Sequence, residues 1–113
     1  MNDCIFCKII RGEIPSQKFY EDEDMIIIAD IAPQAPKHYL MIPKEHYPDI
    51  IAMTDEQAVT LGRCLKKVST LVDRLGLEDG FRLVSNKGAV AGQTVGHLHV
   101  HILGGATLNT TMA

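Results

Sequence analysis

Short apolar runs separated by polar turns predict five β-strands along the chain. The densest run, Met-Ile-Ile-Ile-Ala, predicts a strand over 25–30 that is buried on both faces, and an acidic turn joins it to a preceding strand over 17–20 as a hairpin. Later runs predict strands over 38–43, 81–85 and 95–103. We expect these strands to form one antiparallel sheet.

Two segments have helical spacing instead. Residues 4–11 predict a short helix. A long helix is predicted from Thr54, which forms a capping box with Gln57, through about 20 residues to Gly76 at its C-terminus. Its apolar stripe consists of Ala58, Leu61, Leu65, Val68, Val72 and Leu75. The stripe indicates packing against the sheet or contact with a second subunit. The predicted fold class is α+β, with a five-stranded antiparallel sheet, one long helix and one short helix.

Composition narrows the function classes. The 113 residues predict a single domain over 1–113, with 46% hydrophobic and 22% charged residues. The net charge is −3 and there is no Lys/Arg block, which argues against nucleic acid as a partner. No apolar run approaches the roughly 18 residues of a membrane span, and the start of the chain does not resemble a secretory signal. Three cysteines, an odd number, argue against a disulfide framework and for the cytoplasm.

The strand predicted over 95–103 carries the most informative pattern. Histidine alternates with Leu, Val and Ile at 97–102, so the three imidazoles are expected to line one face, with neighbours about 6.5–7 Å apart. A solvated polar face is one interpretation of this alternation, and a metal clip is another. Imidazole titrates near neutral pH and acts as a nucleophile, so the pattern favours chemistry over packing.

The residues around this pattern favour chemistry at phosphorus. A neutral His99 can attack phosphorus or a carbonyl carbon directly. The preceding Gly92-Gln93-Thr94 segment offers backbone N–H groups that could converge on an anion, although alone it is typical of a plain loop. His101 could neutralise charge on the same phosphate. The chain has no Walker lysine motif, and no acidic cluster in it indicates a magnesium site, so we expect no magnesium requirement.

The pair Cys4 and Cys7 forms half of a tetrahedral zinc site. His46 and His97 can complete a Cys₂His₂ set that ties the N-terminal helix to the sheet. Two core thiols or a redox pair are the alternatives, and Cys64 on the long helix is expected to be a buried small residue.

Two further polar residues flank the third strand. Asp30, at the end of an apolar strand, can accept the two hydroxyls of a ribose or cap a turn. His38, at the start of the next strand, is by itself typical of a structural histidine.

Longer stretches of the chain resemble one family. His-Leu-His-Val-His-Ile-Leu resembles the histidine triad motif. Four further stretches resemble the histidine triad nucleotide-binding (HINT) branch of that family. They are Cys-Ile-Phe-Cys-Lys-Ile-Ile-Arg-Gly-Glu-Ile-Pro, Asp-Ile-Ala-Pro-Gln-Ala-Pro-Lys-His, Ile-Pro-Lys-Glu-His and Gly-Gln-Thr-Val. The resemblance covers residues 4–105. It implies a homodimer whose two five-stranded sheets join into one larger sheet, and hydrolysis of nucleoside 5′-phosphoramidates with purine nucleotides as substrates.

The resemblance also implies roles for individual residues. The middle histidine of the motif is the nucleophile, which places a covalent adenylyl intermediate on His99, while His101 holds the phosphate and assists the leaving group. Thr94 and His38 correspond to positions near the reacting atoms. The implied nucleotide-binding positions are Asp30 for the ribose, Asn86 and Gly92 on the phosphate side, with Gln93 from the same loop, and Ile5, Phe6, Ile9, Ile28 and Ile31 around the purine. The implied ligands of a structural zinc ion are Cys4, Cys7, His46 and His97, with His97 serving the zinc or orienting the nucleophile.

Three functions therefore compete. The first is a purine nucleoside phosphoramidate hydrolase. The second is a dinucleoside polyphosphate hydrolase of a sister branch, and the third is a zinc-stabilised nucleotide-binding or scaffold protein without turnover. The Gly-Gly after the triad and the Asp-Ile-x-Pro-Gln-Ala-Pro run favour the first.

Overall fold

The computed structural model describes residues 4–113 and has a five-stranded antiparallel sheet at its centre. The strands are β1 (Lys18–Glu21), β2 (Met25–Ala29), β3 (Lys37–Pro43), β4 (Phe81–Val84) and β5 (Val100–Gly104). Their order in the sheet is β1-β2-β3-β5-β4, and every neighbouring pair is antiparallel. The predicted α+β class and five-stranded antiparallel sheet are confirmed.

Within the described residues, three α-helices accompany the sheet. They are α1 (Ile5–Ile10), α2 (Asp55–Val68) and α3 (Val72–Leu75), and a single 3₁₀ turn spans Ala89–Ala91. The predicted capping box is present, because Thr54 Oγ1 accepts from the amide of Gln57 and Gln57 Oε1 accepts from the amide of Thr54. None of the helices in this part of the chain is long and apolar enough to cross a membrane.

The prediction of one continuous helix over 54–75 is wrong. A break separates α2 from α3 at Ser69 and Thr70. The two hydroxyls donate to the carbonyls of Lys66 and Lys67, at 2.6 and 2.7 Å. Because these hydroxyls and 3₁₀-type backbone bonds satisfy the last carbonyls of α2, the chain leaves the helix there. The apolar spacing persists across the break because α3 packs into the same core as α2.

The two faces of the sheet pack against different helices. Alternate side chains of β2 and β3 belong to two separate apolar clusters, as the period of a strand requires. The larger cluster joins one face to α2 and α3 and includes Met25, Ile27, Tyr39, Met41, Val68 and Leu75. The smaller cluster joins the other face to α1 and contains Phe6, Ile26, Ile28, Leu40 and Ile42. We refer to this second face as the α1 face.

The prediction of a strand over 95–103 is wrong at its N-terminal end. The pairing of β5 with β3 begins only at Val100, which lies opposite Met41. Before that point the chain follows the segment beyond β3 instead, where the amide of Leu98 donates to the carbonyl of Tyr47 at 2.7 Å. This hydrogen bond directs the backbone away from the sheet ladder.

The three imidazoles consequently do not form one evenly spaced row. His97 and His99 precede β5 and are buried, whereas His101 lies within β5 and is half-buried. The rings of His99 and His101 remain neighbours, with centroids 5.2 Å apart. The ring of His97 lies instead beside that of His46, with centroids 4.9 Å apart.

Candidate active site

Strand register brings three predicted site residues together on the α1 face. Leu40 lies directly opposite His101, so their side chains share a face, and His38 lies two residues before Leu40 on the same strand. Asp30 follows the end of β2, and its amide donates to the carbonyl of His38 at 3.0 Å. The carboxylate of Asp30 lies 3.3 Å from Nε2 of His38 and 3.8 Å from Nδ1 of His101. We name Asp30, His38 and His101 the histidine relay.

Hydrogen bonds determine which ring nitrogens of the relay carry hydrogen. The amide of Gln34 donates to Nδ1 of His38 at 2.9 Å, so the hydrogen of a neutral His38 ring is on Nε2. That Nε2 lies 2.9 Å from Nδ1 of His101, which accepts the hydrogen. His101 therefore carries its own hydrogen on Nε2, the nitrogen that does not face His38.

His99 has the opposite tautomer. Its Nδ1 lies 2.8 Å from the carbonyl oxygen of His97, and since a carbonyl only accepts, Nδ1 carries the hydrogen. Nε2 of His99 therefore has a lone pair. The ring of Phe6 packs edge-on against the His99 ring, with centroids 5.0 Å apart, and Ser85 Oγ donates to the His99 carbonyl. A buried imidazole held in this tautomer is suited to nucleophilic attack through Nε2.

A second cluster, named the Cys/His cluster, consists of Cys4, Cys7, His46 and His97. Nδ1 of His97 lies 3.5 Å from each of the two sulfur atoms and 3.1 Å from Nδ1 of His46. The sulfur of Cys7 lies 3.3 Å from Nδ1 of His46. Tetrahedral zinc, bonded at about 2.3 Å to sulfur and about 2.05 Å to nitrogen, separates its ligand atoms by about 3.4–3.8 Å. The four residues chosen from the sequence thus lie together and could hold a metal ion.

Hydrogen bonding distinguishes the two clusters chemically. Nε2 of His97 donates to the carbonyl of Pro43 at 2.7 Å, which leaves its Nδ1 without hydrogen and facing the thiols, as a metal ligand requires. His38 is arranged the other way, since its Nδ1 is occupied and its Nε2 carries the hydrogen. Asp30, His38 and His101 are also close enough to share an ion. Their tautomers, however, favour proton transfer over metal binding.

Burial also lowers the pKa of two histidine rings, those of His101 and His97. It lowers the pKa of His101 below the ordinary 6.5, and the neighbouring His99 and His38 act in the same direction while Asp30 opposes them. Burial likewise lowers the pKa of His97. Both rings are therefore neutral at pH 7, as the tautomers described above require.

The loop that is expected to bind phosphate through its backbone is closed on itself. The amide of Gly92 donates to the carbonyl of Ala89, and the amide of Gln93 donates to that of Gly88. The Gln93 side chain accepts from the amide of Gly88 and donates to two further carbonyls. The expectation that the amides of Gly92 and Gln93 converge on an anion is not met, because both already donate within the loop. Next to this loop, Thr94 is exposed and Asn86 is half-buried.

The residues predicted around a purine divide into two groups. Phe6 and Ile28 are buried in the apolar cluster of the α1 face, and Ile9 packs against it. Ile5 is 45% exposed and Ile31 is fully exposed. The structure therefore places an apolar wall beside His99 through Phe6 and leaves the two remaining isoleucines at the surface.

Sequence reasoning missed the backbone groups that orient the histidines. The carbonyl of Pro43 and the amide of Gln34 have no signal of their own in the sequence. Asp30 and His38 are each indicated as site residues, but their contact is not predicted. The signal that could have indicated this contact is the short proline-rich loop between the two residues, which places Gln34 next to the His38 ring.

Comparisons with known proteins agree with this architecture. A family model described as the HIT domain matches residues 11–108. An uncharacterized HIT-like protein of Synechocystis is 52% identical over 103 residues, which cover 91% of this chain and 90% of that protein. The structure of a HIT family hydrolase from Clostridium thermocellum is 44% identical with a TM-score of 0.93, covering 100% of this chain and 99% of the other.

A histidine triad nucleotide-binding protein from Candida albicans has the same fold. It is 37% identical with a TM-score of 0.79, covering 88% of this chain and 73% of that one. Since the family model spans most of the sequence, and a relative covering nearly all of it is more than half identical, the chain belongs to the HIT family.

Proposed function

We propose that this protein hydrolyses purine nucleoside 5′-phosphoramidates to a nucleoside monophosphate and an amine, as members of the HINT branch do. The observation that carries the proposal is the pairing of a lone pair on Nε2 of His99 with a hydrogen on Nε2 of the adjacent His101. Two proteins of similar structure, a HIT family hydrolase and a histidine triad nucleotide-binding protein, support hydrolysis and a nucleotide as substrate.

In the first step, Nε2 of His99 attacks the phosphorus atom and the bond from phosphorus to the amine nitrogen breaks. The negative charge of the bound phosphate favours the protonated form of His101, which burial disfavours in the free protein. Protonated His101 then donates its proton to the departing amine. The hydrogen bond from His99 Nδ1 to the His97 carbonyl supports the positive charge that the nucleotidyl-histidine acquires.

In the second step, water attacks the same phosphorus atom. The now neutral His101 accepts a proton from the water, and the bond from phosphorus to His99 breaks. The products are the nucleoside monophosphate and the free nucleophile. Neither step requires magnesium, because His99 and His101 supply both the nucleophile and the proton transfer.

The structure gives different degrees of support to the proposed contacts with the base, the ribose and the phosphate. Phe6 and Ile28 offer an apolar surface for the base. Asp30 is proposed to bind the ribose, and its contact with His38 would connect ribose binding to the relay. Gln93 is better suited to holding the loop than to touching phosphate, since its amide and side chain are already engaged.

We further propose that the Cys/His cluster holds a structural zinc ion. The candidate ligand atoms lie 3.1–3.5 Å apart, at or slightly below the spacing around tetrahedral zinc, and the tautomer of His97 suits a Cys₂His₂ site. A bound zinc ion would cross-link three parts of the chain there, because the ligands come from α1 and its N-cap, from the segment after β3 and from the segment before β5.

The protein is proposed to act as a cytoplasmic homodimer. β4 forms one edge of the sheet, and its Phe81 and Leu83 are 39% and 40% exposed. On α2, Val59 is 63% exposed. An edge strand with two exposed apolar side chains, together with an exposed valine on α2, supports pairing with a second copy.

The proposed function is tested by mixing the protein with a fluorogenic adenosine 5′-phosphoramidate and recording intact-protein mass together with amine release. Wild type is expected to release the amine and to gain the mass of one adenylyl group transiently. His99→Ala is expected to bind AMP with near wild-type affinity but to lose turnover by several powers of ten and to form no adduct.

Three results would contradict parts of the proposal. Faster cleavage of a dinucleoside polyphosphate than of the phosphoramidate would place the protein in the sister branch. Nucleotide binding without release or adduct in wild type would favour the binding-protein alternative. Equal turnover in wild type and His99→Ala would exclude His99 as the nucleophile.

A further inference from the structure

We propose that the Cys/His cluster positions the nucleophile, so that Cys4, Cys7 and His46 act as positioning residues for the covalent step as well as metal ligands. The inference rests on the proposed function, since it concerns the rate at which His99 attacks. The structure contains two separate connections between the cluster and the His99 ring, one through a backbone carbonyl and one through an aromatic ring.

The first connection runs through His97. Its side chain is fully buried and is held on both sides, by the Cys/His cluster at Nδ1 and by the carbonyl of Pro43 at Nε2. The carbonyl of the same residue accepts from Nδ1 of His99 at 2.8 Å. The atoms that fix the tautomer of the nucleophile therefore belong to a residue whose ring is anchored in the cluster.

The second connection runs through α1. Cys4 caps this helix and Cys7 lies within it, so the thiols hold the helix in place. Phe6 lies between them in the sequence, and its ring packs edge-on against both His97 and His99, with centroids 6.0 and 5.0 Å away. Any movement of α1 away from the cluster would withdraw this ring from the nucleophile.

The nucleophile depends on these anchors because it lies outside the sheet. The pairing of β5 with β3 begins at Val100, one residue after His99. The preceding backbone is held by the bond from Leu98 to the carbonyl of Tyr47 and by the ring of His97. A strand ladder would have fixed His99 by itself, whereas this segment is held by single contacts, and the cluster supplies those at Nδ1 of His97.

Weakening the cluster should therefore affect the chemical step more than substrate binding. If the His97 carbonyl shifts, His99 loses the acceptor that keeps its hydrogen on Nδ1, and part of the population places hydrogen on Nε2, where attack is blocked. The loss of an orienting partner of this kind lowers activity about 10- to 100-fold. The proposed contacts of the substrate with Asp30 and Ile28 lie outside the cluster and only the contact with Phe6 is shared, so KM should change much less than kcat.

His46 is the ligand best suited to a test, because it is exposed and its replacement opens no core cavity. His46→Ala removes one ligand, and His46→Cys restores a Cys₃His set that also binds zinc. Cys64→Ala serves as the matched control, since Cys64 is a buried thiol in the larger core, outside the cluster. The measurements are kcat and KM for amine release, metal content, and the tautomer of His99 from ¹⁵N NMR of its ring.

We expect wild type and Cys64→Ala to show a single Nδ1–H tautomer at His99. His46→Ala should show a mixture of tautomers and a kcat lower by about 10- to 100-fold with KM within about twofold, and His46→Cys should recover both. The proposal is overturned if folded His46→Ala keeps the wild-type tautomer and kcat. It is equally overturned if Cys64→Ala loses as much kcat as His46→Ala, which would indicate general destabilisation. If wild type releases no amine, the proposed function fails, and the tautomer comparison alone decides the positioning role.

Discussion

His38 makes two interactions that can be removed separately. Its Nδ1 accepts from the amide of Gln34, and its Nε2 faces both His101 and Asp30. Asparagine at this position places an oxygen near Nδ1 and nothing near Nε2. Glutamine reaches the position of Nε2 with an N–H group but leaves the Gln34 amide without its acceptor. The pair His38→Asn and His38→Gln therefore separates the loop interaction from the relay interaction.

The expected magnitudes follow from the hydrogen bonds that each substitution removes. His38→Asn removes the neutral hydrogen bond from Nε2 to Nδ1 of His101, worth about 0.5–1.5 kcal/mol, and leaves that Nδ1 without its donor, which costs about 1–3 kcal/mol in a buried site. We expect unfolding free energy to fall by about 1–3 kcal/mol and kcat to fall about 10- to 100-fold, because His101 no longer has a donor that fixes its hydrogen on Nε2. His38→Gln should lose about 1 kcal/mol or less, since Gln34 is exposed to water, and should keep kcat within about tenfold.

Both variants are measured by steady-state amine release and by urea unfolding. The ratio of the two kcat values is the decisive quantity, because both variants remove the same imidazole from the same buried position. Equal kcat values would refute the assignment of Nε2 as the atom that matters. A wild-type kcat in His38→Asn would refute the relay altogether.

Two further predictions concern stability. Tyr39→Phe removes the buried hydrogen bond, 2.6 Å long, from the phenol to the carbonyl of Leu75, and that carbonyl at the end of α3 loses this donor. Thermal unfolding should show that the free energy of unfolding falls by about 1–2 kcal/mol, which lowers Tm by about 4–8 °C. The pKa of His101 is lower in the folded chain than its ordinary 6.5, so the unfolded chain binds more protons below that pH and stability falls as pH decreases from about 6.5 towards the folded pKa. Urea unfolding at pH 7.5 and 5.5 should therefore show a smaller pH dependence for His101→Asn than for wild type, and an unchanged dependence would contradict the burial argument.

The sheet was predictable because buried strand positions are occupied by apolar residues, which can be read from the sequence. The Met-Ile-Ile-Ile-Ala run marks a strand covered on both faces, and its alternate residues do enter two different clusters. The break in the long helix was not predictable from apolar spacing, since α3 continues the same stripe. Ser69 and Thr70 were the local signal, and their effect depends on rotamers that bring each hydroxyl back to a carbonyl.

The start of β5 was not predictable for a different reason. Alternation at 97–102 has the period of a strand, but period alone does not show whether the segment hydrogen-bonds to a neighbouring strand. β3 ends at Pro43, and beyond it the backbone turns so that Tyr47 receives the bond from Leu98. β3 continues two residues past Met41, so its length does not limit the ladder, which begins at Val100 because Leu98 bonds to Tyr47 and the His97 ring bonds to the carbonyl of Pro43.

The distinct roles of the histidines arise from the backbone groups that meet their rings. In His97, a carbonyl accepts from Nε2, so the lone pair is on Nδ1. In His99, a carbonyl accepts from Nδ1, so the lone pair is on Nε2. In His38, an amide donates to Nδ1, so the ring donates through Nε2. Each of these interactions decides the position of one hydrogen atom. Two of the three partner residues, Pro43 and Gln34, belong to no motif that the sequence reveals. Motif and spacing could therefore identify which side chains take part, whereas the assignment of ligand, nucleophile and proton donor required the folded backbone.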